Sequence, residues 1–213
     1  EMLLKHGNNH PDKPFLYQPV NREYKVTTWQ QAIDISRKVA SGLESLGLQK
    51  GDKVAILAKN SAEWFMVDFA IMMAGMVSVP IYATASEKTI RYILQHSEAK
   101  AIFHGKLDDK SAATACLDGS IPRIAFPYDT APSDHKWDDW CQTMAPKEHI
   151  YAASLDEIMT IVYTSGSTGD PKGVVLTYRN YSSVSETHRK TININSEDRM
   201  VSYLPLAHIT ERG

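Results

Sequence analysis

Between Lys53 and Phe126 short apolar runs alternate with helical patterns, and this alternation restricts the fold more than any other feature of the chain. Lys53–Ala58 reads as a short apolar strand. Ser61 opens a helix rich in Phe, Met and Ala that runs to Met73. Residues 77–82 form the next strand, and Ser86 caps a helix to about His96. A strand at 99–104, a weak helix at 107–117 and a strand at 123–126 follow. Strand, helix, strand, helix, strand predicts an α/β fold: a mostly parallel sheet with helices on both faces. The helix that begins at Ser61 is apolar all round, so it should be buried on most sides. Met72, Met73 and Met76 read as core filler rather than ligands.

Upstream, Thr28-x-x-Gln31 has capping-box spacing and opens another helix. Ile35, Val39, Leu43 and Leu46 continue it at helical spacing, and Gly47 closes it. Residues 129–134 read as loop, and 137–144 as a short helix that packs Trp137 and Trp140 on the sheet rim. A second apolar set then begins: a strand at 159–163, a strand at 174–177, a helix at 178–190 and a strand at 199–204. A last helix starts near Leu206.

The strands at 159–163 and 174–177 enclose Thr164-Ser165-Gly166-Ser167-Thr168-Gly169-Asp170-Pro171-Lys172-Gly173. That composition suits a phosphate. Glycines let the backbone approach an anion and turn its N–H groups inward. Thr164, Ser165, Ser167 and Thr168 add hydroxyl donors, and Lys172 adds a mobile positive charge. A Walker A loop needs a Ser or Thr after its lysine and opens a helix. Here Pro171 precedes the lysine, Gly173 follows it, and the residues beyond read as a strand. The glycines flank Ser167-Thr168 at the wrong spacing for a nucleophile elbow. A strand-to-strand loop of small polar residues should be mobile when empty. A plain Gly/Ser hairpin is the bland alternative, but a turn has no need of a lysine there.

The run Tyr163-Thr-Ser-Gly-Ser-Thr-Gly-x-Pro-Lys-Gly173 closely resembles the signature of the adenylate-forming (AMP-binding) superfamily. Residues 202–212 (Ser-Tyr-Leu-Pro-Leu-Ala-His-Ile-Thr-Glu-Arg) resemble the next motif of that superfamily, in the form of its long-chain fatty acyl-CoA synthetase branch. The lead-in at 27–29, 51–56 and 75–80 is also similar, so the resemblance covers most of the chain and is weakest at about 106–153.

The resemblance implies the N-terminal portion of the large domain of such an enzyme. A first lobe would span about 1–150 and a phosphate-loop lobe about 155–213, with the C-terminal domain absent. It implies an ATP-dependent acid–thiol ligase that activates a fatty acid as acyl-adenylate and transfers it to coenzyme A. Residues Thr164, Ser165, Gly166, Ser167, Thr168, Gly169, Lys172 and Gly173 would hold the ATP phosphates. Lys172 would neutralise the departing pyrophosphate, and Thr164 or Thr168, with Thr164 preferred, would touch magnesium. His208 would line the cleft near the reacting carboxylate; without the resemblance, a structural hydrogen bond explains it as well. Glu211 and Arg212 read as an ion pair or helix support. The adenine, ribose and coenzyme A contacts would lie beyond Gly213, so the chain alone should not catalyse. Leu204, Leu206 and Ile209 should then be exposed, favouring dimerisation or disorder of the last residues. The alternatives are a ligase for an aryl, medium- or short-chain acid, a P-loop nucleotide hydrolase or kinase, or a non-catalytic interaction module.

Composition bounds these readings. With 213 residues, the chain suits one large domain or two small lobes. Its 23 basic and 25 acidic residues leave a net charge of −2, which argues against general nucleic-acid binding. Cys116 and Cys141 make no disulfide framework and no metal spacing, as expected of reduced thiols in a cytoplasmic protein. His6 and His10 stand four apart, but Gly7-Asn8-Asn9 and Pro11 predict no helix to pair them on zinc, so both should be surface residues. The apolar stretch 65–82 contains Asp68, Gly75 and Pro80, which reads as a buried helix and strand rather than a membrane span. A lipid substrate leaves peripheral membrane contact open, though no basic amphipathic helix supports it.

Overall fold

The computed structural model describes residues 2–164, 169–192 and 198–212. In chain order the elements are α1 (Met2–Asn9), β1 (Pro14–Val20), β2 (Glu23–Thr28), α2 (Trp29–Ser45), β3 (Lys53–Ala58), α3 (Ala62–Met73), β4 (Val77–Ile81), α4 (Glu87–Ser97), β5 (Ala99–Gly105), α5 (Ser111–Cys116), β6 (Arg123–Ala125), β7 (His135–Lys136), α6 (Trp137–Thr143), β8 (Ile158–Thr164), β9 (Lys172–Thr177), α7 (Tyr178–Ile192) and α8 (Ile209–Arg212). Strands β1 and β2 form an antiparallel hairpin. The other seven form one sheet in the order β7-β6-β5-β3-β4-β8-β9, parallel throughout except for β9, which runs antiparallel to β8.

Period-2 alternation sorts side chains to the two faces of the sheet. On β3, Val54 and Ile56 join a core with Trp64, Val67 and Ile71 of α3 and Val39 and Leu43 of α2. The residues between them, Ala55 and Leu57, join a second core with Ile90 and Ile93 of α4 and Ala113 and Cys116 of α5. Helices therefore cover both faces, as the alternating pattern requires. The α2 cap forms in both directions: the Thr28 hydroxyl accepts from the Gln31 N–H at 3.2 Å, and the Gln31 side chain accepts from the Thr28 N–H at 2.9 Å. Ser61 and Ser86 accept likewise at the starts of α3 and α4.

Four local expectations change. The residues between His6 and His10 are helical, because α1 packs on α2 with Gly7 against Ile33, where a Cβ would fall 2.1 Å from Ile33 Cδ1. His6 is exposed and sits beside Trp29, while His10 is half-buried. Among the described residues no group of three His, Cys, Asp or Glu could hold a metal ion. Trp137 and Trp140 are not at the rim; both are buried in the larger core, edge-on to Phe126 and Phe103. No strand forms among the described residues of 199–204. Met200, Val201 and Tyr203 face solvent, and backbone groups that a ladder would use bind the side chain of Asn60 instead. Finally, Leu206 is buried in the larger core; Leu204 is exposed and Ile209 half-buried.

Candidate functional site

Strands β3, β4 and β8 are parallel neighbours, so their carboxyl ends emerge along one edge of the sheet. Crevices outside the carboxyl ends of parallel strands are the usual ligand sites of open α/β sheets. A groove of about 600 Å³ lies there. One wall comes from the end of β8 and the loop beyond it: Tyr163, Thr164, Gly169, Asp170 and Pro171. The other wall follows β4 into the first turns of α4, with Thr84, Lys88 and Tyr92. His208 and Ile209 also line it.

The loop joins two strands, not a strand and a helix. β8 ends at Thr164 and β9 starts at Lys172, and these two residues are partners in the antiparallel ladder. Residues Ser165, Gly166, Ser167 and Thr168 lie outside the described residues. Gly169 has a φ of +111°, a backbone conformation that favours glycine. Asp170 faces Lys88 across the groove at 3.9 Å; both side chains are well exposed, so the contact is weak.

The base of the loop is better fixed. The Tyr163 hydroxyl bonds His96 Nδ1 at 2.8 Å, and the His96 ring stacks on Tyr92. Burial pushes the Tyr163 phenol up from its ordinary range. Gly173 is the ladder partner of Tyr163, and a Cβ on it would lie 3.2 Å from Tyr163 Cζ and 3.1 Å from Ile161 Cγ2. A side chain there would press on the residue from which the loop springs.

Thr164, Gly169 and His208 thus meet at one groove, while Lys172 and Gly173 stand beside it on the edge strand, Lys172 exposed. His208 precedes α8. Its N–H donates to the Pro205 carbonyl at 2.8 Å, and its Nδ1 accepts from the Thr210 N–H at 3.3 Å. That bond places the proton of the neutral ring on Nε2, the nitrogen left to act as a donor. Arg212 pairs with Asp68 of α3, not with its neighbour Glu211.

The sequence pattern did not single out Lys88, Tyr92 or Asp170. The capping serine before α4 marks a helix start, but only the adjacency of β4 and β8 shows that this start faces the loop. The described groove offers an ammonium, the hydroxyls of Thr84, Thr89 and Thr164 and an imidazole against one carboxylate. That donor set suits a polyanion such as a nucleotide triphosphate.

The model of the family described as "AMP-binding enzyme" matches residues 3–213. The chain belongs to this family. Among similar AMP-binding proteins, the long-chain-fatty-acid–CoA ligase FadD15 of Mycobacterium bovis is 32% identical over 99% of this chain and 36% of its own length. The fatty acyl-CoA synthetase A of Dictyostelium discoideum is 33% identical over 89% of this chain and 30% of its own. The chain therefore spans about a third of the length of the curated relatives it matches. An inhibitor-bound N-terminal domain of FACL13 from Mycobacterium tuberculosis superposes with a TM-score of 0.83 at 26% identity, over 99% of this chain and 52% of that one. The o-succinylbenzoate coenzyme A synthetase MenE of Bacillus subtilis, in complex with ATP and magnesium ion, superposes with a TM-score of 0.79 at 23% identity, over all of this chain and 52% of that one. The latter likeness speaks for the fold alone. The α/β fold of an adenylate-forming N-terminal domain is thereby shown. Among the described residues no helix is long and apolar enough to cross a membrane.

Proposed function

We propose that the protein bearing this chain is an ATP-dependent acid–thiol ligase that activates a long-chain fatty acid and transfers it to coenzyme A. The observation that carries the proposal is the groove at the ends of β4 and β8, which brings Thr164 and His208 together beside the strand that begins with Lys172. The names of the relatives support the fatty-acid substrate. In this reading the chain supplies the phosphate-loop part of the AMP-binding domain, with a lobe at about 1–150 ahead of it.

A carboxylate does not react with a thiol unaided. Its oxygen attacks the α-phosphorus of ATP, the bond to the β-phosphate oxygen breaks, and pyrophosphate leaves. Thiol attack on the acyl carbon of the adenylate then releases AMP. Catalysis of the first step consists of bringing two anions together and stabilising charge on the phosphates. Lys172 and the loop residues Thr164, Ser165, Gly166, Ser167, Thr168, Gly169 and Gly173 are assigned to the phosphates. Magnesium, a hard cation, travels with the ATP phosphates, and the Thr164 hydroxyl is the protein oxygen assigned to it. His208 donates through Nε2 to the carboxylate or to the adenylate.

The test is acid-dependent ATP–pyrophosphate exchange and AMP release by the native protein, across acids of graded chain length. Exchange that peaks with long-chain acids is expected. A peak with aryl or short acids transfers the proposal to another carboxylate. Release of ADP with no dependence on any acid overturns it.

A further inference from the structure

His208 lies at the end of a stretch that carries little structure of its own. The described residues of 198–208 form no helix or strand, and Met200, Val201 and Tyr203 face solvent. The hydrogen bonds of His208 itself, to Pro205 and from Thr210 and Glu211, stay within three residues of it, in its own turn. Nothing in that turn ties the ring to the groove, so its place there depends on what fastens the stretch to the sheet.

Two fastenings bracket it. Upstream, the Asn60 amide is almost fully used: Nδ2 donates to Ser202 Oγ at 2.9 Å and to the Leu204 carbonyl at 2.6 Å, and Oδ1 accepts from the Leu206 N–H at 2.9 Å. The carbonyl of Asn60 in turn accepts from the Lys106 ammonium. Downstream, Arg212 Nη2 reaches both oxygens of Asp68 at 2.7 and 2.8 Å, and Nη1 donates to Thr160 Oγ1 at 2.9 Å. Asn60 immediately precedes the cap of α3, and Asp68 lies on α3 itself. Both ends of the stretch are therefore referenced to one buried helix, with Leu206 and Ala207 buried between them.

We propose that Asn60 and the Asp68–Arg212 pair are positioning residues that set where His208 stands in the groove. This rests on the reading of His208 as a substrate-facing donor. None of the three touches the groove. They act through the backbone of 202–212, and a displacement of about 1 Å at a reacting group costs on the order of a hundredfold in rate.

The experiment is a double-mutant cycle in acid-dependent adenylation by the native protein, with Asn60→Ala, His208→Ala and the two combined. Asn60→Ala should lower kcat by about tenfold to a hundredfold while the KM for ATP moves by less than about twofold. On the His208→Ala background it should cost less than about threefold, because the group it positions is gone. Additive losses, an unchanged kcat, or a loss confined to KM overturn the proposal. Arg212→Lys keeps the charge but loses the planar fork, and its loss should likewise vanish without His208. If Arg212→Lys does not fold by circular dichroism, the Asn60 cycle alone decides. A spectroscopic arm separates this inference from the function it rests on. The imidazole NMR signal absent from His208→Ala should shift or broaden in Asn60→Ala. An unchanged signal overturns the anchoring even if the protein proves to be no adenylating enzyme. A wild type with no acid-dependent exchange overturns the function and leaves the NMR result to judge the anchor.

Discussion

Arg212 and Asp68 stand 144 positions apart in the chain and share a buried ion pair at 2.7 Å. The Ser78 and Thr160 hydroxyls also accept from this guanidinium, its Nε is buried without a partner among the described residues, and the group lies 5.4 Å from the Trp64 ring. The pair joins the C-terminal turn to α3, β4 and β8 at once. A buried pair of this kind adds little net energy, but removing one partner strands a charge. Asp68→Ala should therefore destabilise the protein by about 3–5 kcal/mol in urea denaturation. A loss under about 1 kcal/mol would mean that water already reaches Arg212.

Lys172 opens β9 as the ladder partner of Thr164, at the foot of the loop assigned to phosphate. Lys172→Ala should cut the rate of ATP–pyrophosphate exchange by on the order of a hundredfold, the typical loss on removing one preorganised charge-stabilising donor. Its exposure predicts a melting temperature near that of the wild type, so a folding defect would not account for the loss. Full exchange activity in Lys172→Ala would remove this lysine from the chemistry.

Gly42 reverses a familiar rule. In a helix interior, Gly→Ala ordinarily stabilises by about 1 kcal/mol. Here a Cβ would fall 2.5 Å from Trp140 Cε3, where α2 meets α6. Forcing a methyl into a packed core costs about 1–3 kcal/mol, so the clash outweighs the propensity. Gly42→Ala should lower the melting temperature, and a rise would show that α6 yields.

His104 is buried on β5, with Nδ1 bonded to Thr130 Oγ1 at 2.9 Å and Nε2 unpartnered. Burial first, and then the Arg123 charge, hold its imidazole down at about 4, against 6.5 ordinarily. As pH falls below 6.5 the unfolded chain binds the proton first, so stability present above 6.5 is lost down to about 4. The loss is at most about 3 kcal/mol. His104→Gln should flatten the stability profile between these limits, measured by denaturant titration at stepped pH. A wild-type profile already flat there would contradict the buried neutral ring.

The parallel sheet was legible because β3, β4 and β5 are apolar runs set between capped helices, and Thr28, Ser61 and Ser86 mark the helix starts by local hydrogen-bond chemistry. The loop was legible because Pro171 and Gly173 exclude a helix after Lys172. Local pattern misled where tertiary contact decides. Gly7 and Asn8 look helix-breaking until α2 supplies a surface that needs no Cβ. Residues 199–204 look like a strand, but no neighbouring strand among the described residues offers them a ladder, and the Asn60 side chain donates to the Leu204 carbonyl instead.

The sequence by itself determined the class of fold and the alternation of strands and helices from Lys53 to Ala125, because these follow from hydrophobic period and caps within a few positions, and it proposed a phosphate role for the loop from its residue types. Only the tertiary structure decided that α4 faces that loop, that Arg212 pairs with Asp68 and that Asn60 holds the stretch leading to His208. Those contacts join residues tens to more than a hundred positions apart. No local pattern encodes them, because strand order and packing bring the partners together only once the sheet has formed.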